Sequence, residues 1–202
     1  MNRRNFLHGA VLGGTALAAN ALAKTPAVAS VCADDGTPAQ FIPKTPKDSQ
    51  PLERELEKYP RCPYCNMCRK EHHVSRMLVH YSDDLVDGVC SIHCLSLSLA
   101  INIDRDPQAI WGADYGATEE PRPLIEVDKL HFLLGAKLSH AMTHNSKHAF
   151  ASLKTLQAAQ KTHGGKKVDF EAALLASYVD MSKDVTNIRK RRKERREKAA
   201  PK

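Results

Sequence analysis

Arg61-Cys62-Pro63-Tyr64-Cys65-Asn66-Met67-Cys68 holds three thiols and a thioether within one tight turn. Pro63 fixes φ and bends the chain between Cys62 and Cys65, so the C-x-x-C spacing lets both sulfurs face one ion. Downstream stands a second cluster, Cys90-Ser91-Ile92-His93-Cys94. Cys62, Cys65, Cys90 and Cys94 therefore read as C-x-x-C, a gap of about two dozen residues, and C-x-x-x-C, a spacing that fits a four-thiolate knuckle fed by a hairpin. Cys68 is left over.

Three readings of this sulfur cluster compete. The first is a soft-metal transfer site, since thiolates and thioethers select Cu(I). The second is a closed structural zinc site. The third is a disulfide or redox pair at Cys62 and Cys65. The last is disfavoured because thioredoxin-like chemistry wants its C-x-x-C at a helix N-terminus inside a βαβ pattern, and none precedes it here. Met67 lies in a segment too polar and too tightly turned to be core, which favours a ligand role over gap filling. A third cluster, His140-Ala141-Met142-Thr143-His144, lies in a stretch without apolar periodicity. Met142, with His144 beside it, is the candidate soft ligand from the second half of the chain.

Outward from the cysteines, residues 74–81 read as a strand, Ser82-Asp83-Asp84 as turn chemistry, and residues 85–89 as the return of a hairpin. Ser91 is placed to cap a helix over residues 92–101, with Leu95, Leu99 and Ile103 on one face. Residues 110–115 are a candidate strand. Residues 124–127 and 131–134 predict a second hairpin around Asp128-Lys129. Residues 150–162 predict an amphipathic helix with Phe150, Leu153 and Leu156 inward, stopped at Gly164-Gly165. Asp169 then caps a last helix running through Met181. The fold class expected is α+β: two small similar units of antiparallel hairpin plus helix. Residues 59–120 form the first, metal-binding half, and residues 121–185 form the second. His72, His73, His131, His148, His163 and Asp114 read as loop, structural or solvated residues, and His93 stays open.

The N-terminus reads as an address. Arg3-Arg4-Asn5-Phe6-Leu7 has the pattern of a twin-arginine export signal, and a mild apolar run ends at Ala21-Leu22-Ala23, an A-x-A cleavage site. Residues 1–23 are thus assigned to a signal peptide that engages the twin-arginine translocation machinery, and the mature protein to the periplasm. Cys32 follows the bulky Val31, which speaks against a lipid anchor. Residues 24–58 are rich in Pro, Thr, Ala, Asp and Gln and read as a flexible linker.

The chain has 202 residues and a formal charge of +7, but the charge is uneven. Residues 186–202 form a basic tail with a net +7, read as solvated, disordered or helical, and residues 1–23 hold +2. That leaves −2 for residues 24–185. A folded part that is not basic, with 5% aromatic residues to stack on bases, excludes nucleic acid as its partner.

Over roughly residues 60–181 the chain resembles the NosL family of accessory copper chaperones. The first half is also similar to the YHS and TRASH heavy-metal modules. Cys65-Asn66-Met67 stands where those families have Cys-Gly-Met, Cys90 to Cys94 stands in the second position, and Met142 occupies the place of the family's later Met. The resemblance implies paired ββα-type units that hold Cu(I) through Cys65 and Met67 from one half and Met142, with His144, from the other. It implies a non-enzymatic carrier that hands copper to a client cuproenzyme. Asn66 in place of Gly is compatible with left-handed backbone. The additional thiols Cys62, Cys68, Cys90 and Cys94 depart from the family pattern and point to a more cysteine-based site or a second, structural one holding zinc.

Overall fold

The computed structural model describes residues 46–199 except 104, 140 and 142. The export-signal segment, Cys32 and most of the linker lie outside the described residues, as do His140 and Met142.

After a short helix α1 (Glu55–Lys58) and the cysteine turn, the chain forms β1 (Met77–Tyr81), β2 (Val86–Val89), α2 (Ile92–Ile101), β3 (Pro107–Ala113) and β4 (Leu124–Glu126). A 3-10 turn at Val127–Lys129 leads to β5 (His131–Leu134), β6 (Lys147–Phe150), α3 (Leu153–His163), β7 (Lys166–Val168) and α4 (Phe170–Ala199). Strand order is β2-β1-β3-β4 in the first sheet and β6-β5-β7 in the second, and every pairing is antiparallel. Strand, strand, helix, strand, with the third strand paired to the first, is thus repeated in both halves. The α+β class and the two similar antiparallel units are as the sequence implies.

The first hairpin forms where its turn residues place it. The tyrosine at its end is held by local chemistry: Asp84 N–H donates to Tyr81 O (3.0 Å) and Leu85 N–H to Asp83 Oδ1 (3.2 Å). Three other expectations are corrected. Residues 124–127 do not pair with residues 131–134; β4 pairs with β3, and β5 pairs with β6 and β7. The 3-10 turn at Val127–Lys129 carries the chain from one sheet to the other instead of folding it back. Phe150 ends a strand, not a helix, and Leu153 is exposed while Leu156 is fully buried. Ile103 is 78% exposed, because α2 stops at Ile101 and the chain leaves the helical course at Asn102, the C-cap.

The main core lies between the two units, which is why neither is a free-standing bead. Met77, Val79, Val89, Ile92 and Leu95 from the first pack with Val127, Leu130, Phe132, Ala149 and Ala173. Helix α2 is buried on nearly every side, so its serines must be satisfied internally. Ser98 Oγ donates to Asp87 Oδ2 (2.7 Å) and bonds Tyr81 Oη (2.6 Å), and Ser96 Oγ donates to His93 O (2.7 Å).

Helix α4 continues well past Met181. Asp169 Oδ1 accepts from Ala172 N–H at its start (2.8 Å), as a capping residue should. Two carboxylates fix its middle. Asp184, 3% exposed, accepts from His144 N–H (2.8 Å) and lies 3.3 Å from His93 Nδ1 on α2. Asp180 accepts from Lys147 Nζ (2.8 Å) and Asn145 Nδ2 (2.9 Å). The Lys147 ammonium is fully buried, so this pair ties α4 to β6. Burial alone would raise the Asp180 carboxyl, but the hydrogen bonds from Lys147 and Asn145 outweigh it and hold it below its ordinary value of 3.8. A carboxyl depressed in the folded state stabilises above its unfolded pKa, and that contribution is lost as pH falls through the lower, folded one. Asp180→Asn is therefore expected to lower stability near pH 7 by about 3 kcal/mol, because a buried ammonium loses its counter-charge. It should also flatten the acid limb of the stability curve below pH 3.8. Urea unfolding of both proteins between pH 2 and 7 reads both effects.

Candidate metal centre

The cysteine turn is closed by its own backbone. Asn66 N–H donates to Cys62 O (2.8 Å), Cys62 N–H to Met67 O (3.0 Å), and Arg69 N–H to Pro60 O (2.9 Å). Arg61 and Cys68 form an isolated antiparallel bridge. Asn66 sits at φ 63°, the left-handed conformation that a Gly would take without cost and that Asn tolerates. Tyr64 Oη donates to Asp87 Oδ2, which pins the turn to β2.

The second pair comes from the first hairpin and the helix after it. Cys90 ends the hairpin and Cys94 lies in the first turn of α2, whose N-terminal N–H groups favour negative charge on nearby sulfur. Ser91 occupies the N-cap but does not use its side chain there. Its Oγ instead donates to Ala141 O (3.3 Å), joining the start of α2 to the second half of the chain.

The four sulfurs of Cys62, Cys65, Cys90 and Cys94 all lie within 4.8 Å of one another. Cys65 and Cys90 are 3.4 Å apart and Cys90 and Cys94 3.7 Å. A tetrahedron with metal–sulfur bonds of about 2.3 Å has edges of roughly 3.8 Å, so the spacing suits one ion. It is far beyond a sulfur–sulfur bond, which needs about 2.05 Å, and the five cysteines among the described residues are all free. Cys62, Cys90 and Cys94 are buried, whereas Cys65 is half-buried.

The electrostatics of the cluster follow from crowding. The Cys62 thiol is pushed far down, first by the hydrogen bond from Cys65 and then by those from Cys90 and Cys94. Cys65 is also lowered: its contact with Cys62 opposes ionisation, and those with Cys90 and Cys94 overcome it. Cys90 and Cys94 are pushed up, chiefly by their bonds to Cys62 and then to Cys65. Cys90 and Cys94 thus ionise against their neighbours, and a cation among the sulfurs favours their thiolates. Binding it releases the protons that remain.

Behind the turn lies a buried ion network that the sequence did not announce. Arg69, 0% exposed, pairs with Glu55 (2.7 Å), and Glu55 pairs with Arg76 (2.8 Å). Arg69 also donates to Tyr59 O (2.7 Å), Met77 O (3.1 Å) and Val89 O (3.3 Å). It fits because residue 88 is Gly: a Cβ there would stand 2.6 Å from Tyr59 Cβ and 2.7 Å from the Arg69 guanidinium.

The remaining sequence candidates fall around this centre differently. Met67 is half-buried against the main core and shares a cavity with Cys65. Cys68 is half-buried and outside the group of four. His144 is exposed, and it lines a separate cavity with Asp184, Asn187 and Lys190. His93 is buried and paired with Asp184, away from a ligand role. Asp114 organises a loop through Gly116 N–H (2.9 Å) and Ala151 N–H (3.1 Å). Sequence reasoning missed the arginines of α4 beside the site, although Ile188, Arg191, Arg192 and Arg195 fall at the i, i+3, i+4, i+7 spacing of one helix face.

The NosL family model matches residues 53–175. Among solved structures, the crystal structure of the copper chaperone NosL from Shewanella denitrificans is similar, with 19% identity and a TM-score of 0.48, covering 63% of this chain and 96% of that one. No curated protein matches.

Proposed function

The chain belongs to the NosL family, and on that premise we propose that it is a copper chaperone, a carrier that binds Cu(I) at its cysteine centre and passes it to a client cuproenzyme by ligand exchange. One observation carries this reading: four thiols converge within 4.8 Å, three of them buried and one, Cys65, open to a cavity. A carrier needs soft ligands to hold the ion and one accessible ligand through which to exchange it. Cys62, Cys65, Cys90 and Cys94 hold the ion, and Met67 stands beside Cys65. Met142 and His144 are proposed as the second unit's contribution when copper is bound. The Arg3-Arg4 signal would export the protein by the twin-arginine route to the periplasm.

A second reading has its own support. Four thiolates at near-tetrahedral spacing also suit a closed structural Zn²⁺ site in an interaction module. X-ray absorption on anaerobically purified protein titrated with Cu(I) separates the two. The carrier reading expects one Cu(I) per chain in a sulfur-dominated shell, and displacement of any zinc present. Zinc that Cu(I) fails to displace would overturn it.

A further inference from the structure

We propose that the cavity over Cys65 and Met67 is a binding pocket for a small anionic Cu(I) complex, held by arginines of α4 while Cys65 takes over the metal. The inference rests on the copper reading and adds the chemical form in which the metal arrives. The cavity has a volume of about 430 Å³ and is lined by Cys65, Met67, Thr143, Ile188, Arg191, Arg192 and Arg195. Its size lies within the range of small-molecule sites, roughly 300–1,000 Å³. Every charged residue of that lining is an arginine, and the one cysteine in it is the half-buried member of the four. Free Cu(I) is a cation and three guanidinium groups repel it. Cu(I) held by two thiolates is an anion, and the same groups attract and orient it.

The basic wall is a built part of this chain. The family match ends at residue 175, whereas α4 continues to Ala199. The continuation is held in place at Asp184 by His93 of α2 and by the backbone of His144. Glu194, on the same helix, faces the neighbouring cavity with Lys190 and Asn187 and leaves the Cys65 pocket without a carboxylate. Because α4 itself forms one wall, an incoming complex meets these arginines beside Cys65.

The exchange step balances without an oxidant. The Cys65 sulfur bonds to copper as one copper–thiolate bond of the incoming complex breaks. The Cys65 proton, where present, leaves on the released thiolate, and copper stays in the +1 state. Cys62 and its partners then displace the second thiolate in the same way.

The test uses the full chain and two donors: Cu(I) bound by two mercaptoacetate thiolates, an anion, and Cu(I) solvated by acetonitrile, a cation. Stopped-flow competition with a fluorescent Cu(I) probe follows transfer from both donors. Neutralising Arg191, Arg192 and Arg195 together to Gln is expected to slow transfer from the anionic donor about tenfold at low salt. The difference should vanish at high salt. Transfer from the cationic donor should be no slower, and the final Cu(I) affinity should be unchanged. Replacing Arg189, Arg196 and Lys198 by Gln removes the same charge elsewhere on the helix and should leave both rates as in the wild type. Equal slowing by the two triple variants, or equal slowing with both donors, would overturn the pocket. So would unchanged rates, or transfer from an acidic donor protein that shows the same arginine dependence and outpaces the small complex. Failure of the wild type to take copper from either donor would instead strike the copper reading itself, and the proposal with it.

Discussion

Cys62→Ser is expected to weaken metal binding by more than about 100-fold, because losing a mere outer-shell partner of a metal ligand already costs 10–100-fold. Cys62 is 1% exposed, so water has poor access to replace the missing sulfur. Its backbone N–H and C=O close the turn with Met67 and Asn66, and Ser keeps both bonds, so the turn itself should survive. Hydrogen bonds from Cys65, Cys90 and Cys94 also lower the Cys62 thiol, which favours the thiolate that a cation needs. Cys68→Ser is the matched control: Cys68 lies on the same turn but outside the group of four, and its loss should leave affinity unchanged. Chelator competition with Cu(I) and with Zn²⁺ reads both. The affinity of the unaltered protein should rise with pH, since Cys90 and Cys94 are pushed up and must give up protons to bind. Equal affinity in Cys62→Ser and the unaltered protein would remove the four-sulfur site.

What could be read from the sequence follows how local each determinant is. The four cysteines declare themselves by spacing, and the hairpin that joins them declares itself by Ser82-Asp83-Asp84. Helix α2 was legible to its last residue, because Ser91 and Asn102 mark its ends within a few positions. Asn66 was legible as a left-handed position for the same reason. Strand pairing in the second half was not. Residues 124–127 and 131–134 look like hairpin arms, but which sheet each joins depends on β3 and β6, some 15 residues away on either side. Phe150 continued the apolar period of α3 and was read into the helix, yet the pairing of His131 with Phe150 keeps it in a strand. The basic tail was legible as solvated, and residues 189–199 are exposed, but composition says nothing of what a helix passes over. Only α4's anchorage at Asp180 and Asp184 brings Arg191, Arg192 and Arg195 to the wall of the Cys65 cavity.

The buried Arg69 supplies the other large effect, and it joins folding to metal binding. Arg69→Met should destabilise the metal-free protein by about 3–5 kcal/mol, the usual cost of removing one partner from a buried ion pair. Methionine keeps much of the volume but leaves the carbonyls of Tyr59, Met77 and Val89 without this donor. Glu55 would retain only Arg76. Against a total stability of about 5–15 kcal/mol for a domain, that loss is enough to unfold a marginal apo form. The cysteine turn sits on these same groups, because Arg69 directly follows Cys68 and its backbone N–H closes on Pro60. Metal bound only by the folded chain adds back about 4 kcal/mol at a free concentration 1,000 times its dissociation constant. The variant should therefore unfold at much lower urea than the wild type when apo, and recover most of the difference when Cu(I) or Zn²⁺ is supplied. Circular dichroism along a urea gradient, with and without metal, measures both. An apo variant as stable as the wild type would mean that the Arg69–Glu55–Arg76 network does not hold the base of the turn. A destabilised variant that metal fails to rescue would mean that the guanidinium beside Cys62 is needed to offset the charge of the loaded thiolates, and not only to fold the chain around them.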